Sequence, residues 1–120
     1  NKLKVLIVED EETSDTYLTI IIKEYCREIL HAVNGEEAIN LCRSNPDLDL
    51  VFMDIKMPVM GGYEATRKIR EFNKEVIIIA QTAFAFPDDD KKAIEAGCND
   101  YISKPIKAHV LRELMIKYSK

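Results

Sequence analysis

No apolar run in this chain approaches the ~20 residues that a helix needs to cross a bilayer. No positively charged, apolar and small-residue succession opens it, so nothing reads as a secretory signal. Basic clusters are missing as well. Lys and Arg number 17 against 21 Asp and Glu, a net charge of −4, which argues against direct nucleic-acid binding. Direct membrane contact is not expected either. Cysteine is sparse: Cys26, Cys42 and Cys98 show no CxxC or metal-type spacing. That argues against a disulfide framework or a zinc site and suits a reducing, cytoplasmic compartment. Cys26 and Cys42 read as residues that pack helices. No linker, low-complexity tract or repeat divides the 120 residues, the length of one compact domain. A first residue of Asn1 rather than Met points to a domain cut from a longer protein.

What is present is an alternation of apolar runs and amphipathic stretches. Strands are expected at Leu3–Val8, Glu28–Val33, Leu48–Met53, Val76–Ala80 and Asp100–Ser103. Leu50-Val51-Phe52-Met53 and Val76-Ile77-Ile78-Ile79 are continuous rather than alternating, as suits central strands covered on both faces. Helices are expected at Ser14–Tyr25, Gly35–Ser44, Gly62–Glu71, Pro87–Ala96 and Lys107–Tyr118. Asn34 offers an N-cap, Asn45-Pro46 a stop and Gly97 a C-terminal stop. Such a repeated βα unit implies an α/β fold: a parallel sheet, right-handed crossovers and helices on both faces. In open sheets of this kind the functional crevice lies at the carboxyl ends of the strands.

The residues following the strands are therefore the informative ones. Glu9 and Asp10 follow the first strand, Asp54 the third, Thr82 the fourth and Lys104 the fifth. Three carboxylates at one sheet edge raise one another's proton affinity unless a cation sits among them. Lys104 offsets one charge and not three. Oxygen ligands with no His or Cys suit a hard divalent ion, and Mg²⁺ commonly takes one or two carboxylates together with phosphate oxygens. A dipole-favoured helix start accounts for Glu11 and Glu12 but leaves Asp54, Thr82 and Lys104 without a role. With a metal alongside, Asp54 can act as a nucleophile toward a phosphoryl group, giving an aspartyl phosphate. The Asp88-Asp89-Asp90 run reads as a solvated helix start. His31, in the second strand, and His109, in the last helix, read as structural.

The segments VLIVEDE, VFMDIKMPVMGGYEATRKIR, IIIAQTA and GCNDYISKPI, in this order and spacing, resemble the response-regulator receiver domain of two-component signalling. Their wording most resembles the receivers of hybrid sensor histidine kinases. The likeness covers essentially the whole chain and implies a flavodoxin-like (βα)5 sheet of strand order 2-1-3-4-5. It implies Asp54 as phosphoacceptor, Asp10 as a direct metal ligand, Glu9 as a ligand through water and the Lys56 backbone carbonyl as another ligand. It also implies Thr82 and Tyr101 as the switch pair, Lys104 as the phosphoryl-binding lysine and a cis peptide at Pro105. The implied cofactor is Mg²⁺, with Mn²⁺ able to substitute. The implied partners are a histidine kinase or histidine phosphotransfer domain, docking at helix one, and a second copy through the fourth helix, fifth strand and fifth helix. Such a module is no enzyme in the usual sense: it catalyses only its own phosphorylation and dephosphorylation. It would be cytoplasmic, whether free or as part of a membrane-bound hybrid kinase. Gly61 departs from the pattern, where Asp is more common, which costs a helix cap rather than chemistry.

Other classes fit less well. A phosphatase of the haloacid dehalogenase type needs a second acid two residues after its nucleophile, where this chain has Lys56. A flavodoxin needs a phosphate-cradling loop after the first strand, where EDEE repels phosphate. The remaining alternative is a degenerate receiver acting as a phosphorylation-independent binding module.

Overall fold

The computed structural model describes residues 2–83 and 89–119. Strands β1 (Leu3–Val8), β2 (Cys26–Ala32), β3 (Leu50–Asp54), β4 (Ile77–Thr82) and β5 (Asp100–Ser103) form one parallel sheet of order β2-β1-β3-β4-β5. Between and after them lie α1 (Glu12–Ile22), α2 (Gly35–Ser44), α3 (Gly62–Arg70), α4 (Asp89–Ala96) and α5 (Ala108–Tyr118). The expected doubly wound α/β architecture is the one observed.

The continuous apolar runs explain why β1, β3 and β4 lie inside. Successive side chains of a strand point to opposite faces, and here both faces are covered. Leu6, Val8, Val51, Met53, Ile78 and Ala80 pack against α2, α3 and α4 through Ala38, Ile39, Ala65, Ile69 and Ala93. Val5, Ile7, Phe52, Ile79 and Ile102 pack against α1 and α5 through Leu18, Ile22, Leu111 and Met115. Lys4 is the charged residue buried within β1; its ammonium bonds Asn45 Oδ1 at 2.9 Å and Asp47 Oδ1 at 3.0 Å. That network closes the amino edge of the sheet, opposite the functional edge.

Several boundaries differ from expectation. Helix α1 begins two residues early, at Glu12, and ends at Ile22, where a 3₁₀ turn at Lys23–Tyr25 leads directly into β2. Cys26 therefore opens a strand, from which it packs against the cluster that includes Leu18 and Ile22 of α1, and its thiol donates to the Ile22 carbonyl at 3.3 Å. Cys42 does pack within α2. Asp54 and Thr82 close their strands instead of following them, because the ladder extends through the pairs Asp54–Gln81 and Thr82–Ser103. The expected start of α4 at Pro87, and Asp88 of the acidic run, lie outside the described residues. Asn34 caps α2 as expected, accepting from the Glu37 N–H at 2.9 Å. Gly97 ends α4 at φ +112, a conformation that suits glycine.

The loop from β3 to α3 brings the helix against Asp54 at the end of β3. Its chain reverses around Val59 at φ 71, where the Met60 N–H donates to the Pro58 carbonyl at 2.8 Å. A β-branched residue is uncommon there. The Gly62 N–H then donates to the Ile55 carbonyl at 3.0 Å, and a Cβ at Gly62 would lie 2.2 Å from the Asp54 carbonyl oxygen. At Gly61, by contrast, a Cβ would meet its nearest atom at 3.3 Å. Gly62→Ala is therefore expected to destabilise the chain by about 1–3 kcal/mol through overpacking, and Gly61→Ala by much less. Urea unfolding of the two variants reads this, and equal losses would remove the close approach as the reason for Gly62.

Candidate functional site

Four strand ends and the segments after them supply the site. Glu9 leaves β1 buried, its N–H bonded to the Ala32 carbonyl at 2.9 Å. Its Oε2 accepts from the Glu11 N–H at 3.2 Å, and its Oε1 lies 3.2 Å from the Lys104 ammonium. Asp54, also buried, ends central strand β3; its Oδ1 accepts from the Lys56 N–H at 3.3 Å and lies 3.4 Å from Lys104 Nζ. Asp10 is exposed, yet Glu9, Asp10 and Asp54 each bring one carboxylate oxygen within 4.8 Å of the others. Residues from opposite ends of the chain thus meet at one point.

The charges at this point do not balance. Burial, and then the neighbouring Asp54 charge, pushes the Glu9 carboxyl up to about 7, against weaker relief from Lys104. Burial likewise pushes Asp54 up, with Lys104 opposing. Burial acts against the Lys104 ammonium, but Asp54 and Glu9 outweigh it and hold the lysine above its ordinary value. One cation is shared by two buried carboxyl groups, with a third acid beside them. An all-oxygen cluster short of positive charge fits a hard divalent ion. The thiols offer no competing chemistry: burial pushes both Cys26 and Cys42 up to about 11.

Thr82 lies on β4 beside this cluster, buried, with no hydrogen-bond partner for its Oγ1 among the described residues. Tyr101 is 40% exposed on β5 and lines a cavity of about 390 Å³ with Ile102, Ser103, Pro105 and Val110. The Lys104–Pro105 peptide is cis. His31 and His109 lie apart from the acids in the ion pairs and hydrogen bonds described: His31 is exposed and its Nδ1 sits 2.8 Å from Asp15 Oδ1, tying β2 to α1. Two residues of the site region had no marked signal in the sequence. Gly62 was visible only as half of a Gly-Gly pair, and Gln81 only as one polar letter in IIIAQTA.

Comparison with known proteins follows the same lines. Residues 5–116 match the family model "Response regulator receiver domain". The hybrid signal transduction histidine kinase L of Dictyostelium discoideum is 38% identical over an alignment of 124 positions that covers 98% of this chain and 7% of that protein. The chemotaxis protein CheY of Halobacterium salinarum is 40% identical over 102 residues, 85% of this chain and 84% of that protein. Among solved structures, the receiver domain of Ssk1 from Saccharomyces cerevisiae, crystallised with the histidine phosphotransfer protein Ypd1, superposes with a TM-score of 0.91 at 35% identity. That match covers 98% of this chain and 89% of the other. The chain belongs to the response-regulator receiver family, whose members are signalling modules of two-component systems. It spans 7% of the Dictyostelium kinase and 20% of full-length Ssk1.

A raised carboxyl pKa has a stability consequence of definite sign. Folding favours protonated Glu9, so its contribution is complete below about 4.5 and is lost as pH rises through about 7. With chelator present, the urea midpoint is expected to fall across that window, and Glu9→Gln to flatten the fall. Added MgCl₂ should raise the midpoint more at about pH 8 than at about pH 5.5, because ligands must be deprotonated. An unchanged slope in the Gln variant would remove Glu9 as the titrating group.

Proposed function

We propose that this chain is a phosphorelay receiver that accepts a phosphoryl group from a phosphohistidine onto Asp54. The observation carrying this reading is the placement of the buried Asp54 carboxylate 3.4 Å from Lys104 and within reach of Glu9 and Asp10. Asp10 and Asp54, with Glu9 through water and the Lys56 carbonyl, would hold Mg²⁺ or Mn²⁺. The ion would neutralise oxygens that otherwise repel the attacking carboxylate. An Asp54 oxygen forms the new O–P bond as the P–N bond to the donor imidazole breaks, and the imidazole nitrogen keeps the electron pair and takes up a proton. Lys104 faces the phosphoryl oxygens as a fixed positive charge. Phosphoryl transfer asks the protein mainly for positioning and charge stabilisation, which this arrangement of charges would supply.

The switch follows from what the new group adds: close to two negative charges and three acceptor oxygens. Thr82 Oγ1, buried and unpaired among the described residues, donates to one of them. Its movement opens space on the side of Tyr101, whose ring turns inward. The bias is bounded by the difference in contacts between the two arrangements. Helix α1 is the docking surface for a histidine kinase or histidine phosphotransfer domain. It exposes Tyr17 and Ile20, and Tyr17 and Ser14 line a cavity of about 650 Å³ that ends at Lys104. A phosphotransfer protein bound to the similar Ssk1 receiver supports that partner class. The described residues contain no helix long and apolar enough to cross a membrane, and we place the domain in the cytoplasm. The α4–β5–α5 face, which exposes Ile94 and Tyr101, is the surface through which copies would pair.

Incubation with acetyl phosphate and Mg²⁺ should add one phosphoryl group, read by intact mass. Chelator and Asp54→Asn should each abolish the addition, and Lys104→Met should slow it by at least about tenfold, the loss of one charge-assisted contact. Gel filtration of the same samples reads pairing. Absence of any mass gain would leave a phosphorylation-independent binding module, and a gain that survives Asp54→Asn would reassign the nucleophile.

A further inference from the structure

Gln81 has no role in the mechanism above, yet its position is costly. The residue is 0% exposed, and neither Oε1 nor Nε2 has a hydrogen-bond partner among the described residues. Buried side-chain amides are paired in the large majority of cases, and an unpaired one carries its full desolvation penalty. A methionine or leucine would fill the same space without that penalty. The packing therefore does not explain the amide.

Its surroundings do suggest a use. In the sheet register Gln81 stands opposite Asp54 of β3 on one side and Ile102 of β5 on the other. Register partners share a face, and the alternation from Ile79 puts Gln81 on the α1–α5 side. Lys104 follows β5, yet its ammonium reaches Asp54 on β3 and Glu9 after β1. Since β4 separates β5 from β3, the lysine side chain must cross the end of β4. Gln81 is the last β4 residue on that face. A neutral group with two donors and an acceptor thus neighbours Asp54 in the sheet register, at the strand end that the lysine side chain crosses.

We propose that Gln81 is a positioning residue for phosphoryl transfer, its amide unpaired in the resting chain and paired once Asp54 carries a phosphoryl group. The inference rests on the receiver reading of Asp54. In the resting chain Lys104 is shared by two carboxylates, Glu9 and Asp54. Phosphorylation converts the Asp54 carboxylate into a mixed anhydride whose acyl oxygen no longer carries the charge that held Lys104. The ammonium then gives one donor to a phosphoryl oxygen and a second to Gln81 Oε1, while Nε2–H donates to the acyl phosphate. Relief of the unpaired amide in only one of two arrangements shifts the population toward that arrangement. Gln81 would act beside Thr82, from the opposite face of the same strand.

The test compares the parent chain with Gln81→Met and Gln81→Leu, using beryllofluoride with Mg²⁺ as the phosphoryl analogue. Without analogue, both variants are expected to have higher urea midpoints than the parent, because an unpaired amide has been replaced by apolar volume. Beryllofluoride affinity, read from the midpoint shift against concentration, is expected to fall about tenfold, the ratio one hydrogen bond produces. Stabilisation by Mg²⁺ alone should not change. A purely structural role moves the midpoints equally with and without analogue, and that result overturns the inference. Lower resting midpoints in both variants would overturn it too, by showing that the amide is already paired. If the parent chain itself neither binds beryllofluoride nor phosphorylates, the receiver reading falls and this inference with it. If the parent and both variants bind alike, only the role of Gln81 falls.

Discussion

Repulsion among carboxyl groups is the constraint around which this molecule is arranged. Glu9, Asp10 and Asp54 would separate in water, yet the strand ends of one parallel sheet hold their oxygens within 4.8 Å. The force that keeps them there is remote from them. It is the apolar burial of β1 and β3 on both faces, with Leu6, Ile7, Phe52 and Met53 fully enclosed. Edge and core are therefore coupled: the core supplies the stability that the edge consumes. Burial raises the proton affinity of Glu9 and of Asp54, and those two carboxyl groups in turn hold Lys104 above its ordinary value.

The same crowding leaves Asp54 few donors: the Lys56 N–H, the shared Lys104 ammonium and the Glu9 carboxyl. The site is a mostly buried acidic cluster that could hold a cation. On the other side of β4, Thr82 repeats this theme with a neutral group: a buried hydroxyl without a partner among the described residues. Unmet polar demand is thus gathered at the carboxyl edge of the sheet.

The loop after Asp54 shows how the fold accommodates such a site. Helix α3 starts so near the end of β3 that the first helical residue has no room for a Cβ, and Gly62 meets that demand. Gly61 supplies the extended backbone before it without a side-chain cap. At the far end of α3, Arg70 donates to the Gly97 carbonyl and to Asn99 Oδ1, and Asn99 Oδ1 also accepts from the Ile78 N–H. Helix α3, the turn after α4 and the start of β4 are thereby tied together behind the site.

The amino-acid sequence by itself determined the alternating architecture, because continuous apolar runs, an Asn34 cap and a Gly97 stop are local signals read within one turn or one strand. It also singled out Glu9, Asp10, Asp54, Thr82 and Lys104, since the rule about carboxyl strand ends needs only strand order and type. It misjudged boundaries where local and tertiary preferences compete. The apolar stretch through Tyr25 suits a helix, but pairing with β1 claims Cys26 for a strand. Only the tertiary structure decided which oxygens meet Lys104, that Gly62 presses on Asp54, and that Gln81 is enclosed without a partner among the described residues. Those facts depend on distances between segments far apart in the chain, and a linear pattern carries no information about such distances until the sheet has set them.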